Sequence, residues 1–178
     1  MTRKFTIIGL FFVATAIPAR GQLVSKTYDV PPEQRQTALD KITSQDELKK
    51  IIRESKDWEL RMMAAWKVTD EKFLSDLALD DETPAVRAAA LDGVKDQKTL
   101  AIIAIGDGEE YIRSLATRRI EDQKVLVAIA KTDTSAVVRG VAAERIEDQE
   151  TLKDLALNDK ATSVRAMAIS RLTDVKIL

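Results

Sequence analysis

The sequence predicts an all-α protein built from tandem helical pairs, and three observations carry that prediction. Arg35, Arg61, Arg87, Arg113, Arg139 and Arg165 recur at a constant step of 26 residues. Ser44, Asp70, Asp96, Asp122, Asp148 and Asp174 keep the same step in another phase. Between these markers apolar residues fall three and four apart, the spacing of one buried helical face, and no segment sustains the alternation of a strand. Phase-locking over nearly the whole chain of 178 residues defines a repeat array, in which each unit covers its apolar face with its neighbours.

The first residues stand outside the array. Met1 to Lys4 is a short positive segment, followed by an apolar run from Phe5 to Ile17 that is broken by Gly9. That run is shorter than the roughly 20 residues of a transmembrane helix. Ala19-Arg20-Gly21 puts small residues in the positions of a cleavage site before Gln22, so residues 1–21 read as a secretory signal peptide. Cleavage after Ala16, using Ala14-Thr15-Ala16, is the alternative. Residues 22–31 form an extended segment carrying Leu23, Val24, Tyr28 and Val30.

The array itself spans residues 32–178. It opens with a half-unit, Gln34 to Ile42, in which Arg35, Ala38 and Ile42 occupy second-helix slots behind Pro31 and Pro32. Each full unit then starts on its Ser or Asp, a good N-cap because the side chain accepts a bond from an orphan backbone N–H. Ser44 with Glu47 three residues on is a capping box. The first helix buries Leu74, Leu77 and Ala78, matched by Leu100, Ile103, Ala104, by Leu126, Ile129, Ala130, and by Leu152, Leu155, Ala156. Turns follow at Asp81, at Gly106-Asp107-Gly108, at Asp133 and at Asn158-Asp159, and Thr83-Pro84 reads as a cap followed by a first-turn proline. The second helix buries Val86, Ala90, Val94, with equivalents Ile112, Ala116, Ile120, then Val138, Ala142, Ile146, then Val164, Ala168, Leu172. A stub, Asp174 to Leu178, begins the next first helix. Helices spaced by about 8–10 Å make a solenoid very roughly 50 Å long.

The pattern V-R-x-x-A-x-x-x-[IV]-x-D-Q-x-x-L-x-x-[IL]-A-x-x-D resembles short HEAT-like repeats. More distantly it is similar to the leucine-rich-repeat variant and to bilin-lyase-type HEAT units. The fold expected is a right-handed α-α superhelix of about five two-helix repeats plus the N-terminal half-repeat. The resemblance implies binding to another macromolecule more often than catalysis.

Composition narrows the function. There is no His and no Cys. That removes the commonest general base, the commonest metal ligand and every His-containing triad. Without Cys after the signal, a lipid-anchored lipoprotein is excluded, and no disulfide is needed for a core of this size. Cleavage of residues 1–21 removes Arg3, Lys4 and Arg20 and no acid, so the mature chain is more negative than the full chain's −1. That balance argues against a nucleic-acid binder. No cofactor and no metal is expected. Asp107-Gly108-Glu109-Glu110 lacks calcium-loop spacing, and neither a phosphate-binding glycine loop nor a nucleophile elbow occurs.

The candidate sites follow from what repeats and what does not. The Arg series reads as mortar: an Asp lies six residues before Arg87, Arg113, Arg139 and Arg165, and a guanidinium fork can bridge loop carbonyls and a turn Asp of its own or a neighbouring unit. Ser55 breaks that Asp series ahead of Arg61, which weakens the first junction. The variable slots are more informative. Trp58, Met62 and Trp66 form an apolar stripe on the second helix of the first full unit, where later units place small or polar residues. Two readings stand: a partner hot spot, or a surface covered by residues 22–31. One slot along, Lys67, Arg119, Arg145 and Arg171 form a basic row interrupted by Gly93 and thickened by Arg118, with Asp92, Glu121, Glu144 and Glu147 nearby. The Asp/Glu/Lys slots of the first helices read as solvated surface.

The expected protein is an exported, periplasmic or extracellular, repeat scaffold that binds a protein partner. Trp58, Met62 and Trp66 anchor that partner, and Lys67, Arg119, Arg145 and Arg171 supply polar contacts. No nucleic-acid partner and no stable membrane insertion after signal cleavage are expected. Self-association through the C-terminal end is a further expectation. The alternative is an accessory subunit or a divergent lyase-like enzyme using acids on the concave face, which requires two converging carboxylates with raised pKa values.

Overall fold

The computed structural model describes residues 31–173. The signal peptide, the segment 22–30 and the stub from Asp174 lie outside the described residues. Among the described residues there are eleven helices and no strand: α1 (Pro32–Asp40), α2 (Gln45–Glu54), α3 (Trp58–Ala65), α4 (Glu71–Asp80), α5 (Pro84–Leu91), α6 (Gln97–Gly106), α7 (Glu110–Thr117), α8 (Gln123–Thr132), α9 (Ala136–Arg145), α10 (Gln149–Asn158) and α11 (Thr162–Arg171). Helix α1 is the half-unit, and α2/α3 through α10/α11 are five pairs.

The helices begin where their caps dictate. Asp70 accepts from the Phe73 N–H at 3.1 Å, Asp96 from Thr99 at 2.8 Å and Asp148 from Thr151 at 2.8 Å. Asp122 does the same one residue earlier, with Lys124 at 2.8 Å, and Ser44 accepts from Glu47 at 3.4 Å. Thr83 departs from its expected role. Its hydroxyl accepts from Arg61 instead of capping α5, and Pro84 at the first helical position has no N–H to satisfy.

Each first helix packs on its own second helix, and successive second helices pack on one another more extensively than successive first helices do. The second helices therefore form the tighter, concave layer and the first helices the outer one. The predicted second-helix core residues Val86, Ala90, Val94, Ile112, Ala116, Ile120, Val138, Ala142, Ile146, Val164 and Ala168 are fully buried or nearly so. Their last members, Val94 and Ile120, lie beyond the helix ends, so the chain leaves helical geometry while its side chain still reaches the core.

The units are joined by a ladder of guanidinium–carboxylate pairs. Arg87 donates to Asp107 at 2.8 and 2.9 Å, Arg113 to Asp133 at 2.8 and 3.0 Å, and Arg139 to Asp159 at 2.8 and 2.9 Å. Arg61 donates twice to Asp81, both at 3.1 Å. In every case the carboxylate comes from the turn of the following unit. The remaining Nη1 donates to the main-chain carbonyl six residues back: Ser55, Asp81, Asp107, Asp133 and, for Arg165, Asp159. The Asp that precedes each Arg thus supplies its backbone to that Arg and its side chain to the Arg of the unit before.

This geometry moves the expected weak point. Arg61 needs only the carbonyl of residue 55, which Ser55 provides as well as any residue. The missing carboxylate belongs instead to Arg35, whose partner twenty positions on is Ser55. Asp57 pairs with Arg35 in its place, supported by Glu59 at 3.6 Å.

Burial pushes the Asp107 and Asp133 carboxyls up. Hydrogen bonds from Arg87 and Arg113, and from the N–H groups of Glu109 and Ser135, outweigh it and hold both below the ordinary range. Asp159 is lowered chiefly by its bond from Arg139. No buried side-chain nitrogen or oxygen among the described residues lacks a partner, as a repeating polar network in a packed interface requires.

Candidate functional site

The stripe on α3 is where the repeating surface departs most from its neighbours. Asp57 starts the helix by accepting from Glu59 and Leu60, which places Trp58 at the first helical position and Trp66 just past the last. Leu60, Arg61, Ala64 and Ala65 turn inward and are buried. Trp58, Met62 and Trp66 lie away from that face. Trp58 is 42% and Trp66 58% exposed, while Met62 is half-buried against the core. The same slots hold Pro84, Ala88, Asp92 on α5, Glu110, Ser114, Arg118 on α7, and Ala136, Gly140, Glu144 on α9. The stripe is therefore an indole pair separated by two helical turns on a ridge that is otherwise small or charged.

The basic row has a structural occupation. Lys67 donates to the Leu39 carbonyl at 2.6 Å, Arg119 to the carbonyls of Leu91 and Val94, and Arg145 to that of Ile120 at 3.1 and 3.3 Å. Each cation thus binds carbonyls at the C-terminal end of the preceding unit's second helix, where the helix dipole is negative and carbonyls lack intrahelical partners. Arg145 and Arg171 are still exposed, and with Arg118, Glu121, Glu144 and Glu147 they line an open hollow of alternating charge, in which Arg118 pairs with Glu144 at 3.7 Å.

Two features escaped sequence reasoning. The first is a glutamine series. The Oε1 of Gln45, Gln97, Gln123 and Gln149 accepts from the backbone N–H of Thr69, Glu121, Glu147 and Thr173 at 2.9–3.0 Å. The Nε2 of Gln45, Gln97 and Gln123 donates to the carbonyls of Lys67, Arg119 and Arg145. Glu71 fills the slot in the second unit and accepts only from Lys95. The period of the Gln in Asp-Gln was visible in the sequence, but its role required the turn beside it. The second feature is an exposed apolar patch on the first helices, beside the solvated Asp/Glu/Lys slots. Ile102 and Ile105 on α6 are 59% and 62% exposed, and Ile102 borders a cleft of 140 Å³ with Leu79 on α4. The signal was the run Leu100-Ala101-Ile102-Ile103-Ala104-Ile105, apolar on every side of the helix.

Among the described residues every carboxyl whose pKa shift is resolved, namely Asp70, Asp96, Asp107, Asp133, Asp148 and Asp159, is lowered. No helix of the described residues is long and apolar enough to cross a membrane.

The fold and the ladder together define a helical-repeat protein of the α-solenoid type. The chain is similar to the crystal structure of YibA of Escherichia coli, with a TM-score of 0.58 and 19% sequence identity over 85% of this chain and 69% of that one. At that identity the likeness concerns the fold alone. No protein-family profile matches the chain, and no curated protein matches it either.

Proposed function

We propose that the protein is an exported HEAT-like repeat scaffold that binds a protein partner through its second-helix face. The observation that carries this reading is the exposed pair Trp58 and Trp66, in slots that hold small or polar residues in every other unit. Large exposed indoles cost solubility unless something covers them, and Trp is the residue most enriched at interface hot spots. The periodic polar residues support the reading from the other side. The Arg, Asp and Gln series are engaged in holding units together, which leaves the non-periodic positions to vary with a ligand. Arg145 and Arg171 are the rim contacts of this surface; Lys67 and Arg119 stiffen it through the carbonyls they hold. The lowered carboxyls favour binding over the alternative of acid catalysis, which needs a raised one. Export follows from residues 1–21 and remains part of the proposal.

The test is affinity capture by the mature protein from the exported fraction, compared with Trp58→Ala and Trp66→Ala. Loss of the captured partner, with the thermal unfolding midpoint within a few degrees of wild type, is the expected result. Retention of every partner by both variants sinks the anchor.

A further inference from the structure

We infer that the indole stripe is one end of an apolar lane that crosses all five second helices and is shaped for an amphipathic α-helix with a basic flank. The inference rests on the reading of the second-helix face as the binding surface and names the partner's chemistry. Placed in register by the 26-residue step, the mid-helix positions read Met62-Met63, Ala88-Ala89, Ser114-Leu115, Gly140-Val141 and Ala166-Met167. None of the ten carries a charge; Ala89, Ser114 and Val141 are buried beneath the lane and the others line it. One turn towards the N-termini the same register reads Trp58-Glu59, Pro84-Ala85, Glu110-Tyr111, Ala136-Val137 and Thr162-Ser163, so the lane widens on Trp58, Ala85, Tyr111 and Val137 and meets charge at Glu59 and Glu110. Tyr111 and Val137 are 44% and 56% exposed, and Leu115 beside Tyr111 is exposed as well. Large exposed side chains therefore recur on α3, α7 and α9, with the small residues of α5 between them.

Charge borders the lane on both sides. Asp92, Arg118 and Glu144 mark the C-terminal rim, and at the N-terminal one the exposed Glu59, Glu82, Glu109 and Glu110 lie between Lys56 and Lys160 of the first and last units. From Glu109 to Arg118 is roughly 13 Å at 1.5 Å per residue, and an α-helix with its side chains is about 10–12 Å across. A single extended strand, about 5 Å wide, leaves most of that width uncovered. The spacing along the lane agrees. Second helices about 8–10 Å apart meet a crossing helix about every two turns, or roughly 11 Å. Residues seven apart on the occupant thus face successive units. The floor has room at Gly140, where an added Cβ meets nothing within 4 Å. Glu59 and Glu82 face Arg35 and Arg61, which leaves Glu109 and Glu110 on α7 to meet a lysine or arginine on the occupant's adjacent edge.

The two tryptophans of the chain stand at the lane's α3 end, Trp58 in it and Trp66 on its C-terminal rim, so their fluorescence reports on its occupancy. The probe is a synthetic helix of about 24 residues, enough at 1.5 Å per residue to cross four steps. It has leucines on one face and lysines along one edge. Saturable titration with a shift of tryptophan emission is expected. Affinity should fall by about tenfold or more in Tyr111→Ser, in Leu115→Ser and in Gly140→Leu, which fills the floor. The same loss is expected when glutamates replace the probe's lysines. No saturable response, equal binding by a scrambled or proline-interrupted peptide, or indifference to Tyr111→Ser and Leu115→Ser overturns the lane. A natural partner lost with Trp58→Ala but kept with Leu115→Ser and Tyr111→Ser leaves the function standing and the lane refuted. A partner indifferent to all of them refutes both.

Discussion

At the scale of the residue, the arginine fork explains why this chain repeats as strictly as it does. Arg113 uses Nε and Nη2 on the Asp133 carboxylate and Nη1 on the Asp107 carbonyl, and it is buried. Lysine offers one charged nitrogen and cannot span that geometry. Arg113→Leu strands a buried carboxylate and is expected to cost about 3 kcal/mol, read as a lowered denaturation midpoint. Arg165 makes the same bond to the Asp159 carbonyl, but among the described residues its other partners are the Lys160 carbonyl and the Thr162 hydroxyl, and none is a carboxylate. Arg165→Leu should therefore cost under about 1 kcal/mol. Equal costs at the two sites would show that the fork's carboxylate half contributes little. The same residue scale decides which unit each Asp serves. The sequence shows an Asp six positions before Arg87, Arg113, Arg139 and Arg165, and leaves open whether its carboxylate pairs within the turn or with a neighbouring unit. That Asp gives its carbonyl there, and its carboxylate faces the previous unit.

At the scale of the element, short helices depend on what meets their surfaces. The second helices α3, α5 and α7 have only eight residues each, too few to persist alone. Two glycines show how position decides. Gly140 lies inside α9 with open space around it, so Gly140→Ala restores helix propensity and should stabilise by about 0.5–1 kcal/mol. Gly93 follows α5, and a Cβ there would come within 2.2 Å of a Leu74 methyl. Gly93→Ala forces Leu74, a buried residue, off its rotamer and is expected to destabilise by about 1 kcal/mol or more. Thermal melts of the two variants should move in opposite directions. Sequence alone presented Gly93 as a gap in the basic row, whereas the structure presents it as a contact with the first helix of its own unit. Helix existence, caps and buried faces were legible because each depends on neighbours three or four residues away. The exposure of Ile102 and Ile105 was harder to read, since an all-apolar helix gives no sign of which side stays uncovered.

At the scale of the whole molecule, stability is a sum over junctions of one kind, and that gives it a pH dependence of definite sign. Asp107, Asp133 and Asp159 are lowered in the folded chain. A lowered carboxyl contributes stability that is complete above its unfolded value, about 4, and is lost as pH falls through the folded one. The denaturant midpoint should thus hold near neutrality and drop below about pH 4. In Asp133→Asn it should start lower and fall less steeply, and parallel slopes would remove the ladder from acid unfolding. The sequence by itself determined the all-α class, the pairing of helices and the register, because a 26-residue period and a three-four spacing are properties of the chain read along its length. Only the tertiary structure decided what the conspicuous residues do. The arginine ladder, the glutamine bridges and the cations on helix ends all join residues twenty or more positions apart, and their partners are chosen by how one unit stacks on the next. The apolar lane emerged the same way: it runs across the second helices, at right angles to the sequence, where no periodicity within one unit reveals it.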